Sequence, residues 1–128
     1  MKKEVKNLLY SAQYDLDTAE HMFNSERYIY TVFMCHLALE KALKSKVEEI
    51  TGKTPPKIHD LEYLMGIAEL SPDKDIENFI AEITNLSVVT RYPSDFQKIL
   101  KDFSKERAES ILSKTREVFQ WIKKFIEL

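Results

Sequence analysis

Glycine is almost missing from this chain: there are two in 128 residues, beside four prolines, one cysteine and one tryptophan. With only Gly52 and Gly66, no Gly-rich loop can cradle a phosphate and no dinucleotide fingerprint can form. So little punctuation suits a backbone that is helical over most of its length. Cys35 alone cannot close an intrachain disulfide, which agrees with a reducing compartment. No His, Cys and Asp spacing makes a zinc site, and the Glu-x-x-His pairs of a di-metal bundle are missing. Neither a metal nor another cofactor is expected. Long apolar runs are lacking too. The longest uncharged stretch, Tyr28 to Leu39, falls short of the roughly 20 residues that a membrane span needs. The opening MKKEVKNLLYSAQYDLD mixes charge into what would have to be the apolar part of a signal peptide. An intracellular, cytoplasmic protein is expected. The net charge of −2 supplies no global field for nucleic acid, so only a local basic cluster remains, with Lys41, Lys44 and Lys46 as one candidate.

What is present is enough for a folded core. The hydrophobic fraction is 44% and the charged fraction 31%, and the length suits one domain over residues 1–128. The chain is organised around Ile29 to Ile50, IYTVFMCHLALEKALKSKVEEI, a helix of about 33 Å. Its apolar residues, Leu37, Leu43 and Ile50 among them, cover far more than the stripe of a surface helix, so neighbours are expected on several sides. One polar row, His36, Glu40 and Lys44, runs along it at intervals of four. Cys35 and His36 are adjacent and diverge by about 100° on a helix, so Cys35 reads as buried and inert rather than as a nucleophile beside its base.

Taken in order, Val5, Leu8, Leu9, Ala12, Leu16 and Ala19 predict an amphipathic helix from Lys2 to about Asn24. Ser25 is a candidate N-cap for the central helix, and so short a connection predicts antiparallel neighbours. TGKTPPKI, residues 51–58, is the clearest break, with Gly52 suited to a left-handed cap. A short helix follows with Leu61, Leu64, Met65 and Ala68 inward and His59 or Asp60 at its start. Ser71-Pro72 predicts the N-cap and first residue of a helix ending near Val89, before Tyr92-Pro93. Ser94 and Gln97 fit a capping box, and Ser104 caps a last helix read from Arg107 to Leu128. No segment reads as a strand. The expected fold is all-α, an antiparallel up-and-down helical bundle of four long helices plus one short helix.

Four stretches in this order carry a family resemblance: DLDTAEHM, FMCHLALEKALKSKV, IHDLEYL and TRYPSDF. Together they span nearly the whole chain, which resembles the HEPN domain, the helical module named for higher eukaryotes and prokaryotes nucleotide-binding. The resemblance implies a compact bundle that commonly forms a homodimer. It also implies a nucleotidyltransferase-type partner protein, in a toxin–antitoxin-like arrangement, and a nucleotide or RNA as ligand. This chain itself lacks the paired Asp motif and Gly-Ser turn of a nucleotidyltransferase. Many relatives of this kind are metal-independent RNases with an Arg, four to six arbitrary residues, and then a His. Here the matching Arg is Arg91, and the His positions hold Phe96, Gln97 and Lys98. The three histidines, His21, His36 and His59, all lie upstream.

Three functional readings follow. The leading one is a non-catalytic nucleotide- or polynucleotide-binding module, with phosphate near Arg91, Tyr92 and Asp95 and with His36, Glu40, Lys44 and His59 as helpers. Arg is the preferred planar partner of phosphate, and loops are where function concentrates. The second is an RNase that pairs Arg91 with His36 or His59 as the acid–base group across a dimer. The third is a structural module. In it Glu40 and Lys44 form a helical ion pair, His36 is a satisfied helix-face histidine, His59 is a cap or interhelix hydrogen bond, and Arg91 pairs with Glu40 or Asp95.

Overall fold

The computed structural model describes residues 1–126. Helix α1 (Lys3–Asn24) and α2 (Tyr28–Thr51) form the first hairpin, and the short α3 (Leu61–Ile67) follows the proline break. Then come α4 (Lys74–Arg91), the short α5 (Phe96–Asp102) and α6 (Lys105–Lys123). The bundle is all-α, with four long helices and two short ones among the described residues. The additional short helix is α5, where the sequence suggested a helical turn. Helix α2 touches all five others, which is why its apolar residues are not confined to one stripe. Val32, Ala38, Leu39, Ala42 and Leu43 on it are completely buried.

Several boundaries differ from the sequence reading, each for a local reason. Ser25 does not cap α2; it is the C-cap of α1, and Arg27 stands at the start of α2 with no side-chain cap. The turn between them closes by hydrogen bonds from Glu26 N to Phe23 O and from Arg27 N to Met22 O, with Glu26 left-handed at φ 62°. This is the Schellman pattern with Glu where Gly is usual. The same pattern recurs after α3, with Glu69 at φ 58°. Gly52 is left-handed at φ 70° and ends α2, as its residue type predicts. Asp73 rather than Ser71 caps α4, and Asp95 rather than Ser94 caps α5, each carboxylate accepting from a backbone N–H of the first turn. Helix α4 runs on to Arg91, two residues past Val89. The helix expected to reach Leu128 ends at Lys123, and Glu127 and Leu128 lie outside the described residues.

Two apolar residues assigned to the core of α2 are less covered than expected: Leu37 is half-buried and Ile50 is exposed. Asp15, in contrast, is buried in the α1–α2 interface, where Lys41 Nζ lies 2.8 Å from its carboxylate and donates to Ser11 Oγ at 2.7 Å. The lysine cluster proposed from the sequence is therefore not a basic patch. Lys41 is taken by Asp15, Lys44 by Glu40, and Lys46 by Glu49 and the Phe125 carbonyl.

Candidate functional site

One face of α2 collects most of the predicted site residues. Glu40 is almost fully buried and is the hub. Its Oε2 accepts from Lys44 Nζ at 3.0 Å, one turn along the same helix, and its Oε1 lies 2.9 Å from His59 Nδ1, in the loop before α3. An ionised carboxylate only accepts, so His59 donates through Nδ1 and Nε2 takes no part in this contact. Gly52, Pro55 and Pro56 end α2 and turn the chain back, and Asp60 caps α3 through the N–H groups of Glu62 and Tyr63. These local constraints bring His59 over Glu40.

His36, one turn before Glu40, has no exposed surface, and neither ring nitrogen makes a hydrogen bond of good geometry, although the His59 backbone is near enough to favour its charged form. Its Nδ1 is 3.9 Å from Glu40 Oε1, too long for a hydrogen bond. Burial pushes its pKa down to about 4, although Glu40 favours the charged form; the charge of Arg91 pushes it down further. At neutral pH His36 is an uncharged core residue, so it fits neither the phosphate-contact nor the acid–base role. It is not the satisfied helix-face histidine of the structural reading either. Cys35 is likewise inert: burial pushes its thiol up to about 12, although Thr115 and Arg116 act in the opposite sense.

Arg91 is the last residue of α4, where a cation complements the helix dipole. Its guanidinium carbon lies 5.0 Å from the centroid of the Phe33 ring on α2, a cation–π arrangement. Among the described residues it forms no ion pair, so the expected pairing with Glu40 or Asp95 does not occur. Glu40 is already occupied, and Asp95 accepts from the Lys98 N–H as the cap of α5. The Nε of Arg91 is buried without a partner. Tyr92, forced toward an extended conformation before Pro93, is 80% exposed.

Arg91, Tyr92 and His59 line one cleft of about 360 Å³ together with Asp60, Thr84 and Ser87. His36, Glu40, Lys44 and Asp95 are outside its lining, and Glu40 reaches it only through its contact with His59. Sequence reasoning missed Phe33, Thr84 and Ser87. They carry no motif and become site residues only when α4 is laid on α2. No three potential metal-ligating side chains come together among the described residues, and no helix there is long and apolar enough to cross a membrane.

The fold and this cleft define a helical-bundle module with a buried polar hub at Glu40 and an arginine that forms no ion pair among the described residues. The HEPN domain family model matches residues 5–125, nearly the whole chain, and the protein belongs to the HEPN domain family. No curated protein and no solved structure matches it.

Proposed function

We propose that this HEPN domain is a non-catalytic module that binds the phosphate of a nucleotide or polynucleotide in the Arg91 cleft. The observation that carries the reading is the unneutralised guanidinium of Arg91. It is held on Phe33 at the edge of a cleft whose nearby buried carboxylate, Glu40, is already engaged by Lys44 and His59. A planar, always-charged fork without an internal acid suits an external anion, and phosphate matches its geometry. His59 and the exposed Tyr92 line the same opening, and on this reading they meet sugar and base. Family membership supports a homodimer acting beside a nucleotidyltransferase-type partner, in a toxin–antitoxin-like pair.

Calorimetric titration with nucleoside monophosphates tests the reading. Arg91→Ala should weaken binding by about 1.5–3 kcal/mol, roughly ten- to a hundredfold in Kd. Arg91→Lys should restore only part, and wild-type affinity should fall with salt. Equal affinity in wild type and Arg91→Ala would remove Arg91 from the site.

One observation favours a second reading. The 2.9 Å contact between Glu40 and His59 Nδ1 orients an exposed imidazole that lines the same cleft as Arg91. A carboxylate-oriented histidine beside an arginine is the equipment of metal-independent RNA cleavage, with His59 and not His36 as the base. Cleavage of RNA by the wild type, lost in both Arg91→Ala and His59→Ala, would replace the non-catalytic reading with this one.

A further inference from the structure

A second cavity, of about 370 Å³, opens where the first turn of α2 meets α5, and it shares no lining residue with the Arg91 cleft. The sequence around α5 accounts for one of its walls. Two apolar pairs at a spacing of four occur there, Ile99 with Phe103 and Phe96 with Leu100. Ile99 and Phe103 are buried and anchor the short helix in the core. Phe96 and Leu100 form a second apolar ridge that lines the cavity and stays 46% and 52% exposed. Tyr30 of α2 joins them at 52%. One ridge is enough to hold a seven-residue helix in place, and large apolar side chains grouped at a concave opening mark a place for a partner.

The charge at this opening is one-sided. The left-handed turn at Glu26 starts α2 at Arg27, and Arg27 and Lys101 both line the cavity. Arg107 lies over the ring of Phe103, another lining residue, with its guanidinium carbon 4.6 Å from the centroid. It donates to the Asp102 carbonyl at 3.3 Å, which leaves its charge unneutralised. None of these three cations forms an ion pair among the described residues. Glu26 is the one acidic residue in the lining.

We infer that this cavity is a docking site for an acidic peptide segment of a partner protein. A large apolar side chain of the segment seats among Tyr30, Phe96 and Leu100, and its carboxylates meet Arg27, Lys101 and Arg107. Charge complementarity sets the sign of the partner, since a basic segment would face three cations and find one carboxylate. The walls favour a peptide over a nucleic acid. Ile29, Leu100 and Phe103 offer a base edge no side-chain hydrogen bond, and Ser104 Oγ is engaged by the Arg107 N–H as the cap of α6. A base would bury polar atoms without partners, a cost that a Leu or Phe side chain does not carry. The apolar anchor supplies most of the affinity, and the cations at the rim govern encounter rate and partner choice. None of this rests on Arg91 binding phosphate.

The test is selection of a phage-displayed library of random peptides on the wild-type protein, followed by fluorescence-polarisation titration of the consensus peptide. The expected consensus is a large apolar residue flanked by Asp or Glu. Phe96→Ala and Leu100→Ala should each weaken that peptide about tenfold or more. Lys101→Glu should weaken it as well, and added salt should cost the wild type more affinity than it costs a variant carrying both Arg27→Gln and Lys101→Gln. All four positions are exposed, so the fold should survive, and circular dichroism checks each variant. A basic consensus, a consensus without an apolar residue, no enrichment, or binding that these substitutions leave unchanged overturns the inference. A labelled oligo-adenylate that binds the wild type and is lost in Phe96→Ala would assign the cavity to nucleic acid. Sedimentation in which Phe96→Ala turns a dimer into a monomer would assign it to a second copy of the chain. Either result also overturns the inference.

Discussion

Acid should unfold this protein partly through one buried histidine, and the size of the effect can be worked out from its surroundings. His36 has no exposed surface, and its ring nitrogens make no hydrogen bond of good geometry. Glu40 on its own helix, Arg91 from α4 and His59 from the loop before α3 are the charged or titratable groups acting on it. Burial dominates and holds its pKa near 4, against an ordinary value of 6.5. Above pH 6.5 the imidazole is neutral both folded and unfolded, and proton uptake does not affect stability. Below that, the unfolded chain binds a proton that the folded chain refuses, so stability falls as pH falls and the loss levels off below about 4. Integrated over that window, the loss is about 3 kcal/mol. His36→Leu removes the titration and two unpartnered polar atoms, so it should be neutral or stabilising at pH 7. Urea unfolding of both proteins across the window gives a difference curve from which the carboxylates common to both cancel. The variant should gain on the wild type steadily as the pH drops. Parallel curves would show that His36 is protonated in the folded state, and the account of its environment would then be wrong.

The core prediction concerns α2. Leu43→Ala should destabilise by about 2–5 kcal/mol, and Leu37→Ala by clearly less because Leu37 is only half-buried; urea midpoints that rank the two in the opposite order would contradict the packing. Glu40→Ala removes the acceptor of both Lys44 and His59 and leaves a largely buried ammonium alone, a loss of about 3–5 kcal/mol. Glu40→Gln should recover part of it in thermal melts, since an amide oxygen still accepts from one partner; a melt of Glu40→Ala indistinguishable from wild type would show that the hub is not structural.

The central helix was the most legible part of the chain, because an unbroken 24-residue segment with apolar residues on most sides has only one compact solution. Gly52 and Ser104 were readable as caps because their chemistry is local: a left-handed φ in one case, a hydroxyl accepting from Arg107 N–H in the other. Where two neighbouring residues can both cap, as at Ser71/Asp73 and Ser94/Asp95, composition does not choose and the carboxylate took the role both times. The turns at Glu26 and Glu69 gave no signal, since a left-handed Glu resembles any other surface Glu. In the site, periodicity aligned His36, Glu40 and Lys44 but did not say that His36 is sealed in. That depends on what packs over α2, a tertiary fact. The Asp15–Lys41 pair was invisible for the same reason: each residue is ordinary on its own helix, and only the α1–α2 interface brings them together.

The stacking of Arg91 on Phe33 has a consequence for the thermodynamic character of recognition. A free arginine samples many rotamers, and immobilising it on a ligand forfeits up to about 2 kcal/mol of side-chain entropy. Here that freedom is largely surrendered during folding, when the guanidinium comes to rest on the ring. On the proposed reading of Arg91 as the phosphate contact, Phe33 contributes to affinity without touching the anion. Replacing it with a small side chain would leave the charge in place but return its disorder. The mark of such a replacement would be weaker binding through a less favourable entropy, with the enthalpy of the contact kept.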